Sequence, residues 1–153
     1  MAISDLMTRN VWSCVPDENL RIVATRMQEK DCGCLPVREP ETKRVVGMIT
    51  DRDICLYAAE RDAPLSKLTV RDAMTADPKS CKPEDDVEYA DRLMQTAQVR
   101  RLPVIDGRSE LVGVVSLADL ARTAAEHEAH DPAITGRTVT ETLSAICQPT
   151  RSA

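Results

Sequence analysis

Phenylalanine is absent from this chain, and Trp12, Tyr57 and Tyr89 are its only aromatic residues. The interior must therefore be built from Val, Leu, Ile, Met and Ala, and aromatic stacking platforms are scarce. A basic surface is missing too. The formal net charge is -5 with no long Lys/Arg run, which argues against nonspecific nucleic-acid binding, because phosphates must meet clustered cations. No segment is long and apolar enough to span a bilayer, and Met1–Met7 lacks the basic stretch and apolar run of a secretory signal. The expected address is the cytoplasm, with no membrane partner. There the 6 cysteines are expected to be reduced thiols. Also absent are a nucleophile elbow, a Walker phosphate loop and a zinc-hydrolase helix motif, and only 2 histidines stand as bases. The chain is expected not to be an enzyme and to require no cofactor.

What is present is a folding composition and a repeat. Hydrophobic residues are 42% and charged ones 29% of 153 positions, too apolar for disorder and about the size of one compact domain or two small ones. Asp5-Leu6-Met7-Thr8 recurs as Asp72-Ala73-Met74-Thr75, Cys14-Val15-Pro16-Asp17 as Cys81-Lys82-Pro83-Glu84, and Leu35-Pro36-Val37 as Leu102-Pro103-Val104, all at one interval. After one residue drops from a turn, Val46-Gly47-Met48-Ile49-Thr50 through Asp53 matches Val112-Gly113-Val114-Val115-Ser116 through Asp119. Four blocks in one order establish a duplication. The expected organisation is a first motif over 1–60, a linker over 61–69, a second motif over 70–127, and a tail with a short helix over 128–153.

Within the first copy, Leu20, Val23, Ala24 and Met27 follow the spacing of a helix with one buried face, with Asn19 as N-cap. Val87, Ala90, Met94 and Ala97 repeat the phase, with Asp86 in the capping position. Two β-rich runs follow each helix. They are separated by Glu39-Pro40-Glu41-Thr42 in one copy and by Asp106-Gly107-Arg108-Ser109-Glu110 in the other, where Asp-Gly is a hairpin signal. Further helices start near Asp51 and Leu117. Each copy reads as βαββα, and the fold class is α/β (α+β), two such units packed through their sheets.

Thr50-x-x-Asp53 and Ser116-x-x-Asp119 sit where a strand runs into a helix, so free N–H groups and the positive end of the helix dipole face any anion. The Thr50 or Ser116 hydroxyl can donate to a phosphate, and the Asp53 or Asp119 carboxylate can accept from both hydroxyls of a ribose. The same spacing is also a capping box that only satisfies helix-end amides. Duplication and the flanking glycine-hydrophobic blocks favour binding. Arg100 and Arg101 stand where the first copy has Gly33 and Cys34. They read either as a fork near the phosphate or as a solvated strand edge. Arg52 is the first copy's own cation, opposite Ala118. A phosphate is expected first at the second copy, with Arg100, Arg101, Ser116 and Asp119.

These blocks resemble the CBS motif, two in tandem resembling a Bateman module. Val99–Val104, Ile49–Ile54 and Ala145–Pro149 are similar to small stand-alone CBS-pair proteins, including the mycobacterial hypoxic-response type. The resemblance implies a regulatory module binding AMP, ADP, ATP or a related adenosyl ligand in clefts between motifs, with Asp53 and Asp119 as ribose ligands. It also implies a homodimer forming a disc of four motifs. With no effector domain in the chain, the regulated partner would be a separate protein.

The remaining chemistry is sparse. Cys14 and Cys81 occupy matching places and read as small buried side chains, and Cys55 reads as a helix residue among apolar neighbours. Cys32-Gly33-Cys34 carries the alternative function, a thiol-based redox or metal-responsive sensor with no nucleotide. Structural zinc, however, needs four ligands at recognisable spacings. His127 and His130, with Glu126, Glu128 and Asp131, read as part of a metal site only if further ligands join them, and otherwise as a solvated helix end. Val139, Leu143 and Ile146 suggest the apolar face of a short C-terminal helix, docked on its own module or across a dimer.

Overall fold

The computed structural model describes residues 1–127 and 134–149. They form two compact units whose membership departs from the sequence copies. The first unit is Val11–Pro78 with Gly107–Leu111; the second is Met1–Asn10, Lys79–Asp106 and the chain from Val112. The opening segment of each copy therefore belongs to the unit built around the other copy.

In the first unit α1 (Leu20–Glu29) begins at Asn19, whose side chain accepts from the Ile22 N–H, and buries Leu20, Val23 and Met27. β1 (Cys34–Arg38) and β2 (Val45–Thr50) pair antiparallel, with Cys34 opposite Thr50. α2 (Asp51–Arg61) follows without a gap. After α3 (Val70–Ala73), β3 (Thr75–Ala76) adds to β2, Gly47 facing Ala76 and Met48 facing Thr75. Leu20, Val23, Leu35, Val37, Ile49 and Val70 make the core.

The second unit repeats this plan with α4 (Val87–Ala97), β4 (Arg101–Ile105), β5 (Leu111–Ser116) and α5 (Leu117–His127), and adds α6 (Gly136–Ile146). Thr8 takes the part of β3: its N–H donates to the Val114 carbonyl at 2.9 Å and its carbonyl accepts from Val114 at 3.0 Å. Asp86 is the N-cap of α4, but its side chain makes no capping bond; the Val87 N–H goes to the Met1 carbonyl at 3.1 Å instead. Ile3, Val87, Met94, Leu102, Val104 and Leu120 make the core.

The strand expected to open each copy is a single parallel bridge, Cys14 to Val37 and Cys81 to Val104. Pro16 and Pro83, two residues on, lack the N–H that the next rung of a ladder needs. The repeat extends to the backbone: Asn10 and Asp77, Asp31 and Gln98, and Lys43 and Ser109 all take positive φ. In the second hairpin turn it is Ser109, at φ 65, rather than Gly107 that turns left-handed. Gly47 and Gly113 serve a different purpose. A Cβ on Gly113 would lie 2.8 Å from the Thr8 carbonyl oxygen and 2.9 Å from Met7 Sδ; one on Gly47 would lie 2.5 Å from Met74 Sδ and 3.1 Å from the Thr75 oxygen. The glycine of each Gly-hydrophobic block makes room for an Asp-x-Met-Thr strand.

α6 packs against α4 and α5 of its own unit. Its inward stripe is Val139, Thr142 and Ile146, not the expected Val139, Leu143 and Ile146, and Leu143 is 44% exposed. The reason is polar. The buried Thr142 hydroxyl meets the buried Asp91 carboxylate and accepts from Gln95 Nε2, which fixes the rotation of the helix. Among the described residues no helix is long and apolar enough to cross a membrane.

Candidate functional site at two helix starts

Thr50 ends β2 and Asp51 begins α2; Ser116 ends β5 and Leu117 begins α5. Each turn folds into a reciprocal capping box. The Thr50 N–H and hydroxyl donate to Asp53 Oδ2 at 2.9 and 2.8 Å, and the Asp53 N–H donates to Thr50 Oγ1 at 3.1 Å. The Ser116 N–H and hydroxyl donate to Asp119 Oδ2 at 2.8 and 2.6 Å, and the Asp119 N–H returns to Ser116 Oγ at 3.2 Å. Sequence spacing left capping and ligand binding as alternatives. The structure shows the cap, and any ligand must use what the cap leaves over.

What is left over differs between the copies. At α2 the expected free amides are already taken: Asp51 N–H donates to the Gly33 carbonyl at 3.1 Å, Arg52 N–H to Asp51 Oδ1 at 2.8 Å, and Asp53 N–H to Thr50. Two carboxylates, Asp51 and Asp53, stand in that first turn, so an approaching anion is repelled; each unit charge at 4 Å costs ~1 kcal/mol even in water. Asp53 Oδ1, on a half-buried side chain, accepts nothing among the described residues. The start of α2 offers an acceptor.

At α5 the Leu117 N–H meets the Arg100 carbonyl at 2.9 Å, matching Asp51 and Gly33. Leu117, however, has no side-chain acceptor to offer the next amide, and among the described residues the N–H of the exposed Ala118 meets no acceptor. Asp119 is the one acid in that turn; it is 5% exposed and paired with Arg122. Arg100 and Arg101 are both exposed, and an Arg100 guanidinium nitrogen lies 3.8 Å from Cys147 Sγ. An exposed Ala118, a carboxylate already paired with a cation, and two exposed arginines distinguish the start of α5 from that of α2. Arg52 is exposed in the first turn of α2, beside Asp51.

Sequence reading missed Asp51 and Arg122. The first was legible as a difference between copies, Gly33 with Asp51 against Arg100 with Leu117. The second was legible as the i, i+3 partner of Asp119.

None of the cysteines is in a disulfide. Burial, with the nearby Glu18 charge, pushes Cys14 up to about 12, and burial with Asp85 does the same to Cys81. Cys55 is exposed on α2, correcting the expectation of apolar surroundings. Cys32 and Cys34 are half-buried on either side of Gly33. Among the described residues no three His, Cys, Asp or Glu side chains converge to hold a metal; His130, Glu128, Asp131 and the His127 side chain lie outside the described residues.

The CBS domain family model matches residues 3–60 and 70–126. CBS domain-containing protein YhcV of Bacillus subtilis is 35% identical over 136 residues, 88% of this chain and 93% of that protein. Hypoxic response protein 1 of Mycobacterium tuberculosis is 30% identical over 154 residues, 95% of this chain and 93% of that protein. A crystal structure of Hypoxic Response Protein I with two coordinated zinc ions superposes with a TM-score of 0.72 at 30% identity, covering 80% of this chain and 98% of that one. CBSX2 in complex with AMP superposes with a TM-score of 0.72 at 26% identity, covering 83% and 98%.

Proposed function

The chain belongs to the CBS-domain family as a tandem pair, and on that premise we propose that it is a non-catalytic regulatory module that binds an adenine nucleotide with its phosphate at the start of α5. The observation that carries this is the difference between the helix starts: Ala118 keeps an open amide beside Arg100 and Arg101, whereas Asp51 has closed the equivalent amide of α2. The bound AMP of CBSX2 supports the choice of ligand. Arg100, Arg101 and the Ser116 turn would face the phosphate. Thr50, Arg52 and Asp53 form the weaker, acceptor-type half-site, in which Asp53 Oδ1 takes a ribose hydroxyl.

Regulation follows if the nucleotide prefers one arrangement of the motifs, because a ligand shifts an equilibrium only by its differential affinity. The readout is a surface presented to a separate effector protein, and the working assembly is a homodimer of four motifs, which sedimentation equilibrium checks. Calorimetric titration with AMP, ADP and ATP tests the binding. A charge-assisted contact contributes about 1.5–3 kcal/mol, so Arg100→Ala and Arg101→Ala should each weaken binding roughly tenfold or more. No heat and no thermal shift with any of the three contradicts the proposal.

A further inference from the structure

The end of α6 is bonded to the stretch that carries Arg100. Gln98 Nε2 donates to the Ala145 and Gln148 carbonyls at 3.2 and 3.3 Å, tying down the C-terminal end of the helix. Two residues on, the Arg100 guanidinium reaches Cys147 Sγ at 3.8 Å, while the Arg100 carbonyl accepts the Leu117 N–H at 2.9 Å. One short stretch, Gln98–Arg100, therefore joins the end of α6 to the start of α5. The first copy has Asp31 and Gly33 at these places, and neither has a side-chain donor.

α6 is also suited to dock and release as a unit. It has 11 residues, and isolated helices shorter than about 12–15 residues are marginal in water, so α6 is helical because it is docked. Its buried residue is Thr142, held by Asp91 and by Gln95 Nε2 at 2.9 Å, and Val139 and Ile146 are only partly buried. Little apolar area holds it down, which places it among the elements that open first. Docked, it restrains Arg100. That side chain is exposed and would otherwise lose rotamer freedom on meeting a phosphate. The Cys147 sulfur is a weak acceptor, so most of the five guanidinium N–H groups remain for the ligand.

We propose that α6 is the element through which this chain registers an occupied α5 start: nucleotide binding and α6 docking favour each other, and loss of the nucleotide loosens α6 from α4 and α5. The inference rests on the nucleotide reading above. Because coupling is reciprocal, the factor that docking adds to nucleotide affinity is the factor that the nucleotide adds to docking.

The test uses the full chain, calorimetric titration with AMP, and amide exchange read by mass spectrometry. Thr142→Val loosens α6 from a place that does not touch the site. Gln98→Ala cuts the link itself and, at a half-buried position, keeps the test open if Thr142→Val fails to fold. Arg137→Ala removes only the exposed Arg137–Glu141 pair and is the control. AMP should slow exchange in α6 roughly fivefold or more beyond any slowing in the β1–β2 hairpin, and its affinity should fall roughly fivefold or more in Thr142→Val and Gln98→Ala but not in Arg137→Ala. AMP that binds wild type without selective protection of α6, or with unchanged affinity in either folded variant, overturns the proposal and leaves the nucleotide reading standing. An equal loss in Arg137→Ala overturns it too. No heat with wild type overturns both.

Discussion

Replacing Gly113 with alanine tests whether the Gly-hydrophobic block exists to let a strand in. Gly113 does not take a positive φ, so only space is at issue. The new Cβ would stand 2.8 Å from the Thr8 carbonyl oxygen and 2.9 Å from Met7 Sδ. Met7 can rotate away, but the Thr8 carbonyl belongs to the backbone pair it forms with Val114. Ordinary contact requires that strand to retreat about half an ångström, which stretches both of its hydrogen bonds. Overpacking of this kind costs about 1–3 kcal/mol, and the entropy that alanine removes from the unfolded chain returns roughly 0.4–1 kcal/mol. The net expectation is a loss of about 1–2 kcal/mol, or some 2–8 °C in Tm for a chain of this size. Gly47→Ala meets Met74 Sδ first and Thr75 oxygen only at 3.1 Å, so a flexible thioether yields and the net change should be near zero. Urea denaturation of both variants, each repeated with its methionine cut to alanine, distinguishes the two cases. Met74→Ala should relieve Gly47→Ala fully, while Met7→Ala should leave most of the Gly113→Ala loss. A Gly47→Ala variant at least as destabilised as Gly113→Ala, or full rescue by Met7→Ala, refutes the reasoning.

Three further outcomes are expected. Among the described residues Thr142→Val leaves the buried Asp91 carboxylate with only Gln95 as donor, at about 1–3 kcal/mol. Amide exchange should then accelerate in α6 while the β4–β5 hairpin stays protected; α6 exchange rates equal in wild type and Thr142→Val would contradict this. Thiol labelling at pH 8 should be fast at exposed Cys55 and Cys147 and negligible at Cys14 and Cys81 until the protein unfolds, and mass spectrometry that finds Cys14 among the first sites labelled would be the opposite result. Glu18 is an acid-sensitive group. Burial alone would raise its carboxyl, but hydrogen bonds from Arg26 and the Val15 amide, with the Arg26 charge, outweigh it and hold the pKa low. The unfolded chain therefore binds more protons there, so the contribution is whole above the ordinary value near 4.5 and lost as pH falls through the lower folded value. Wild type should exceed Glu18→Gln in stability at pH 7 and converge with it at low pH; a constant difference would be evidence against it.

Much of this was legible in the sequence because the duplication doubles every signal. The helices at Leu20 and Val87 and the hairpins around Leu-Pro-Val came from apolar periodicity, which depends on local burial alone. The exchange of opening segments between units was not legible, since nothing in Asp-x-Met-Thr says which hairpin receives it. The left-handed positions escaped because Asn, Asp, Lys, Gln and Ser occupy them, and Gly107 drew attention from Ser109. At the candidate site, Thr50-x-x-Asp53 and Ser116-x-x-Asp119 identified both helix starts, but spacing could not say that each carboxylate already serves its own cap. Asp51 is the residue that divides the two starts, and in the sequence it marks only a helix boundary. The rotation of α6 was missed for a similar reason: Thr142 counts as polar in a periodicity, whereas its hydroxyl is satisfied in the interior by Asp91.

Transplanting the closed arrangement of α2 onto the start of α5 tests whether the N–H exposed there forms the proposed phosphate site. The double variant Arg100→Gly with Leu117→Asp gives α5 the residues that stand at α2, while Asp53→Ala removes the acceptor of the other copy. Calorimetric titration of wild type with AMP should give measurable binding. Affinity should fall roughly a hundredfold or more in Arg100→Gly/Leu117→Asp and change less in Asp53→Ala, with circular dichroism confirming that both remain folded. Unchanged AMP affinity in the folded double variant, or the larger loss in Asp53→Ala, would contradict it.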